Sequence, residues 1–105
     1  MTVQFKAKLW RYDGKAAWHF VTLPKGKSAQ IKSETRGLEA GFGSLRVDAT
    51  IGKTTWQTSI FPDTKRGAYL LPVKKQVMKA ESIEVDASVM VTIKLVDAMH
   101  TGPAR

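Results

Sequence analysis

Few side chains in this sequence are of the kinds that do chemistry. There is no cysteine, which excludes disulfides, thiolate catalysis and cysteine-based metal sites. Of the two histidines, His100 sits in a patternless tail, and His19 lies between Trp18 and Phe20 in a stretch that alternates like a strand. A general base needs a partner within hydrogen-bond reach. No spacing supplies one to His19, which reads as a strand histidine. The nine carboxylates are scattered, with no paired spacing on one helix face. His-x-x-x-His, EF-hand and Gly-x-x-x-x-Gly-Lys-Ser/Thr patterns do not occur, and Gly41-Phe42-Gly43 lacks the third glycine of a nucleotide loop. No catalytic residue, metal site or cofactor is expected, and an enzyme is disfavoured.

The remaining chemistry is that of cations and aromatic rings. The formal net charge is +8, spread as +6 over residues 1–36, +4 over 37–80 and −2 over 81–105. A basic body attracts polyanions at long range, although a solvated lysine surface accounts for the same count. Lys6, Lys8 and Arg11 belong to the first alternating stretch, Lys65-Arg66 to a loop, and Lys74, Lys75 and Lys79 to a helical one. Phosphate contacts need such solvated cations, and exposed rings could stack on bases. Trp10 and Tyr12 share the parity of Lys6 and Lys8, the mixture a single-strand platform would use. The favoured alternative packs both rings into the barrel under a helix, with lysine stems over them. Trp18, Trp56 and Tyr69 are candidate pocket aromatics. In a small barrel they are expected to fill the interior rather than line a cavity.

Positioning these groups requires strands. Ile83 to Leu95 has apolar residues at every odd position, the period-two signature of a half-buried strand. Residues 3–12 alternate likewise, and Asp13-Gly14 predicts a tight hairpin turn into a second strand from Ala16 to Leu23. Pro24 ends that strand. A short helix is predicted near 28–36, with Ser28 as N-cap, Ile31 as its one large apolar residue and Gly37 as its stop. Leu45 to Ile51, the Gly52-Lys53 turn and Trp56 to Ile60 form the next pair, broken at Pro62-Asp63. Ala68 to Leu71 is a fifth strand ended by Pro72. Val73 to Ala80 is a second short helix, with Val73, Val77 and Ala80 on its apolar side and Met78 exposed among the lysines. The order is ββ-helix-βββ-helix-β.

At 105 residues the chain is one domain over 1–96, with a frayed tail at 97–105. No apolar run is long enough to span a bilayer, the N-terminus does not read as a signal peptide, and a reducing cytoplasm fits. Short strands with glycine-containing turns point to a mainly β fold, a small barrel whose closure hides sheet edges.

Several motifs recur in order across residues 3–96. They are Phe5-x-Ala7, then Trp18 with Leu23-Pro24, then Val47-x-Ala49-x-Ile51-Gly52. Next come Trp56-x-Thr58-Ser59-Ile60-x-Pro62 and Gly67-x-Tyr69-x-Leu71-x-Val73-Lys74-Lys75, and last the alternating strand. In these the chain resembles the small bacterial and archaeal domains of domain-of-unknown-function family 1905. The family pattern carries Gly-Asp-x-Val-x-Val at the last strand, where this chain has Asp86-Ala87-Ser88-Val89-Met90-Val91, so residues 83–87 are expected to form the connection and the strand to start near Ser88. The resemblance implies a six-stranded split or pseudo β-barrel with two short capping helices, and no established activity. The barrel is also similar to that of swapped-hairpin regulators that bind DNA as dimers, a likeness of fold that carries no function by itself.

Three functions are consistent with these residues. The first is a small non-enzymatic binding module. The second is a nucleic-acid-binding regulator using a basic face of Lys6, Lys8, Arg11, Lys74, Lys75 and Lys79. The third is a barrel that takes a small anionic ligand at an opening rimmed by Arg46 or Lys74.

Overall fold

A computed structural model describes residues 1–14, 18–37 and 43–96. Six strands and two helices follow in the order β1 (Thr2–Arg11), β2 (His19–Thr22), α1 (Lys25–Glu34), β3 (Leu45–Ile51), β4 (Thr54–Asp63), β5 (Ala68–Pro72), α2 (Lys75–Ala80) and β6 (Ser88–Leu95). All neighbours are antiparallel, and the ring β1-β2-β5-β4-β3-β6 closes.

Closure is the work of the two ten-residue strands, β1 and β4. The first half of β1 pairs with β6 and its end with β2, while the first half of β4 pairs with β3 and its end with β5. A large sheet (β6, β3 and the first halves of β1 and β4) therefore passes into a small sheet (β2, β5 and the ends of β1 and β4). This is the split barrel that the family resemblance implies, joined into a ring with no free edge.

The alternation read from the sequence sets what fills it. Val3, Phe5 and Leu9 of β1, Leu45, Val47, Ala49 and Ile51 of β3, and Val89, Val91 and Ile93 of β6 are all buried. Trp56 and Tyr69 join them in the same core. A barrel of six strands is narrow enough for side chains to occupy its interior.

The helices close opposite ends. Ile31 of α1 is fully buried, and the Ser28 hydroxyl accepts the Tyr69 amide hydrogen at 3.0 Å, tying α1 to the start of β5. At the other end Val77 of α2 is buried, and the Glu81 carboxylate accepts the Lys53 N–H (3.1 Å) and the Thr54 hydroxyl (2.6 Å). Gly52, at φ +60, leads this two-residue β3–β4 turn, and a Cβ there would fall 1.9 Å from Glu81 Oε1.

Five local expectations are corrected. Asp13-Gly14 is not a tight turn: the Tyr12 amide donates to the Trp18 carbonyl, so five residues lie between that bonded pair. Of these, 15–17 lie outside the described residues, as does the expected strand start at Ala16. Ser28 is not the N-cap of α1; Pro24 is, at φ −57, and Ser28 faces the barrel one turn inside. The β4 strand runs through Pro62 to Asp63, because Pro62 opposes Tyr69, whose amide and carbonyl are used by Ser28 and Leu23 on the other side. A proline is tolerated where the ladder needs no donor. Val73 is not helical; its amide donates to the His19 carbonyl and prolongs the β2–β5 ladder. Within α2, Met78 packs partly against the core while Ala80 is exposed.

The break expected before β6 is a bulge. The Asp86 amide donates to the Leu9 carbonyl (2.8 Å) and the Leu9 amide to the Ala87 carbonyl (2.9 Å), so one residue of β1 faces two. The Ala87 amide also donates to the Glu84 carbonyl (3.0 Å), closing a turn whose third residue, Asp86, has φ +74. Such a bulge favours glycine at this position. A position that favours glycine is held here by Asp86.

Candidate functional site

The inward row of the small sheet is His19, Val21 and Leu71, all buried. Its outward row is also apolar, which is unusual for a wall facing solvent. Trp10 and Tyr12 of β1, Trp18 and Phe20 around β2, Phe61 of β4, and Leu70 and Pro72 of β5 share that face. The register makes them neighbours, with Trp10 opposite Phe20, Phe20 opposite Pro72, and Leu70 opposite Phe61. Tyr12, Trp18 and Phe61 are 51%, 53% and 42% exposed, so the face lies open rather than under a helix.

The rings hold one another. Phe20 is the hub, 5.2 Å from Trp10 (tilted), 6.4 Å from Tyr12 (edge-on) and 6.2 Å from Trp18 (stacked, 12° between planes). Such pairs fix ring orientation as well as adding stability. The Trp10 indole N–H donates to the Thr22 hydroxyl at 2.9 Å, and the Arg66 guanidinium lies 4.6 Å from the centre of its ring. Arg66 is also ion-paired with Asp63, and that hydrogen bond holds the Asp63 carboxyl below the usual carboxylate range. Tyr12, Trp18, Phe20, Phe61, Leu70 and Pro72 enclose a shallow, open groove of about 330 Å³.

The cations singled out in the sequence are divided among several places. Lys6 and Lys8 lie on the outside of β1, opposite Met90 and Ser88. Arg11 has the opposite parity and reaches the rim across from His19. Arg46 opens β3, where it donates to the Ser59 hydroxyl at 3.4 Å. Lys74, Lys75 and Lys79 belong to α2 and its entry, at the far end of the barrel; the seven residues of β3 separate the ends by about 20 Å. Arg46 and Lys74, each offered as the rim of an opening for a small anion, therefore stand at different ends of the barrel.

The aromatic expectations divide as well. Trp56 and Tyr69 fill the interior as expected. Trp18 does not, and Trp10 and Tyr12 are not packed under a helix, because the odd–even pattern that turns His19 and Val21 inward turns these rings out. Phe20 and Phe61 were not legible as site residues, and Arg66 was legible only as a loop cation beside Lys65. The available signal was that β2 is apolar at both parities. In the core, His19 Nδ1 and Trp56 Nε1 are buried without a hydrogen-bond partner. His100 lies outside the described residues. Among the described residues, no three His, Asp or Glu side chains come together as a metal site would require.

Residues 5–93 match the family described as Domain of unknown function (DUF1905). The chain belongs to that family. No curated protein matches it. Of the aromatic residues that carry the DUF1905 resemblance, Phe5, Trp56 and Tyr69 are buried and Trp18 is exposed. Trp18 is the one whose presence the core does not explain. Among the described residues, no helix is long and apolar enough to cross a membrane.

Proposed function

We propose that the chain is a non-enzymatic binding module whose contact surface is the outer face of the small sheet. The observation that carries this reading is the contiguous row Tyr12, Trp18, Phe20, Phe61, Leu70 and Pro72, left open on the outside of a barrel whose interior is already filled. Rings left half in water stabilise the fold less than rings buried in the core. Contiguous exposed apolar patches of this kind mark interaction sites. Aromatic rings with an arginine beside them are the residues that dominate contact surfaces.

An aromatic anion, 8-anilinonaphthalene-1-sulfonate, tests the face whatever its partner. Native packed cores do not take up this dye. One site per folded chain is expected, with emission that rises on binding. The double variant Trp18→Ala/Phe61→Ser should weaken it about tenfold, the scale of a lost stacking ring. Its circular dichroism should remain that of the folded barrel, since neither side chain belongs to the core cluster. Uptake that is absent, or that survives the double variant unchanged, refutes the assignment.

A further inference from the structure

Given that face as the contact surface, we infer that its partner is a single-stranded nucleic acid. Three observations converge on this, and the first is the rim. Lys8 lies two residues before Trp10 on the same side of β1. Arg66 lies over Trp10 from the β4–β5 loop. The third cation is Lys74: Phe20 pairs with Pro72 and the Val73 amide bonds the His19 carbonyl, so one further step of that register sets Lys74 opposite Trp18. Positive charge thus stands at both ends of the aromatic row, Lys8 and Arg66 beside Trp10 and Lys74 beside Trp18. Carboxylates near the face include Asp63, which is ion-paired with Arg66, Asp13, which follows Tyr12, and Asp86, whose amide bonds the Leu9 carbonyl.

The second observation is the shape. Four strands side by side, β1-β2-β5-β4, give a platform roughly 14 Å across. Its groove is open and shallow, lined by ring faces rather than by a deep socket for one anchoring side chain. The third is ring presentation. Trp18 stacks on Phe20 through one side and is still 53% exposed, which leaves π surface facing solvent. Unpaired bases stack on such surface whatever their sequence, while phosphates track the flanking cations. A duplex keeps its bases inside and offers this face only its backbone. An acidic peptide would meet the same charges but has no flat rings to lay on the platform.

Fluorescence anisotropy with end-labelled mixed-sequence DNA and RNA oligonucleotides, single-stranded and annealed, tests the inference on the full chain. Single strands should bind at low salt, and the duplex at least about tenfold more weakly. With three phosphate contacts, affinity should fall about a hundredfold for a tenfold rise in salt. Trp18→Ala should cost about tenfold at all salt concentrations. Lys74→Glu should weaken binding and flatten the salt dependence by about one contact, and Lys79→Glu, on the exposed side of α2, should do neither. If no single strand binds while the anilinonaphthalene site persists, the face stands and the partner assignment is overturned. If the duplex binds as well as the single strand, and binding is lost in Lys79→Glu but not in Trp18→Ala, the assignment falls to the basic helix. Loss of both dye and oligonucleotide binding in the native chain refutes the contact surface itself.

Discussion

Replacing Asp86 with glycine is expected to stabilise the domain, and replacing it with valine to destabilise it. The reason is the bulge between β1 and β6, where Asp86 holds φ +74 while its amide bonds the Leu9 carbonyl. A residue with a Cβ in the left-handed region carries a penalty of about 1–2 kcal/mol, at the lower end for aspartate. Glycine removes that penalty but adds freedom to the unfolded chain, which costs about 0.5 kcal/mol. The net gain for Asp86→Gly is then about 0.5 kcal/mol. Valine, branched at Cβ, should lose about 1–2 kcal/mol relative to aspartate. For 105 residues, 1 kcal/mol corresponds to a shift of about 4–5 °C in Tm. Calorimetry or thermal circular dichroism should show Asp86→Gly melting about 2 °C higher and Asp86→Val about 5–9 °C lower. The Asp86 side chain is exposed and Asp86 is not part of the core cluster, so core packing does not compete with the backbone effect. A glycine variant that melts well below the parent, or a valine variant that melts with it, would contradict the bulge geometry.

Gly52→Ala should destabilise by about 1–3 kcal/mol, because φ is +60 and the added methyl displaces the Glu81 carboxylate from the β3–β4 turn. Since the displaced carboxylate is the one Glu81→Ala removes, a double-mutant cycle by chemical denaturation should show the two costs failing to add; additive costs would mean that Glu81 does not clamp the turn. The Arg66 clamp on Trp10 should be acid-sensitive. Asp63 is depressed in the folded state from its ordinary 3.8, so its contribution is present above that pH and is lost as pH falls through the lower folded value. Ring-proton shifts of Trp10 should therefore move below about pH 4 and stay still over that range in Asp63→Asn. Equal movement in both proteins would show that Asp63 does not hold Arg66.

The strands were legible where one face is apolar and the other polar. Val89, Val91 and Ile93 alternating with Ser88, Met90, Thr92 and Lys94 leave a single register for β6, and β3 reads the same way. Closure was legible through the need to hide edges in a short chain. What could not be read is what tertiary contact decides. Ser28 has the composition of a cap, yet serves as an acceptor for Tyr69, 41 residues away. Asp13-Gly14 carries a hairpin signal that the β1–β2 register overrules. The site was hidden for a simpler reason. A strand apolar at both parities, such as β2, shows that both sides meet something apolar, but not which side is the core. His19 and Val21 turned inward, and Trp18 and Phe20 were left as the surface. Arg66 reaches that surface from a loop whose path no periodicity describes.

The central claim is that the outer face of the small sheet is where this domain makes contact. Amide chemical-shift mapping during titration with a mixed-sequence single strand tests it most directly. The account predicts that the largest shifts fall on Trp10, Tyr12, Trp18, Phe20, Phe61 and Leu70. Shifts centred instead on residues 75–80 of α2, or on the outer face of β3 and β6, would contradict it.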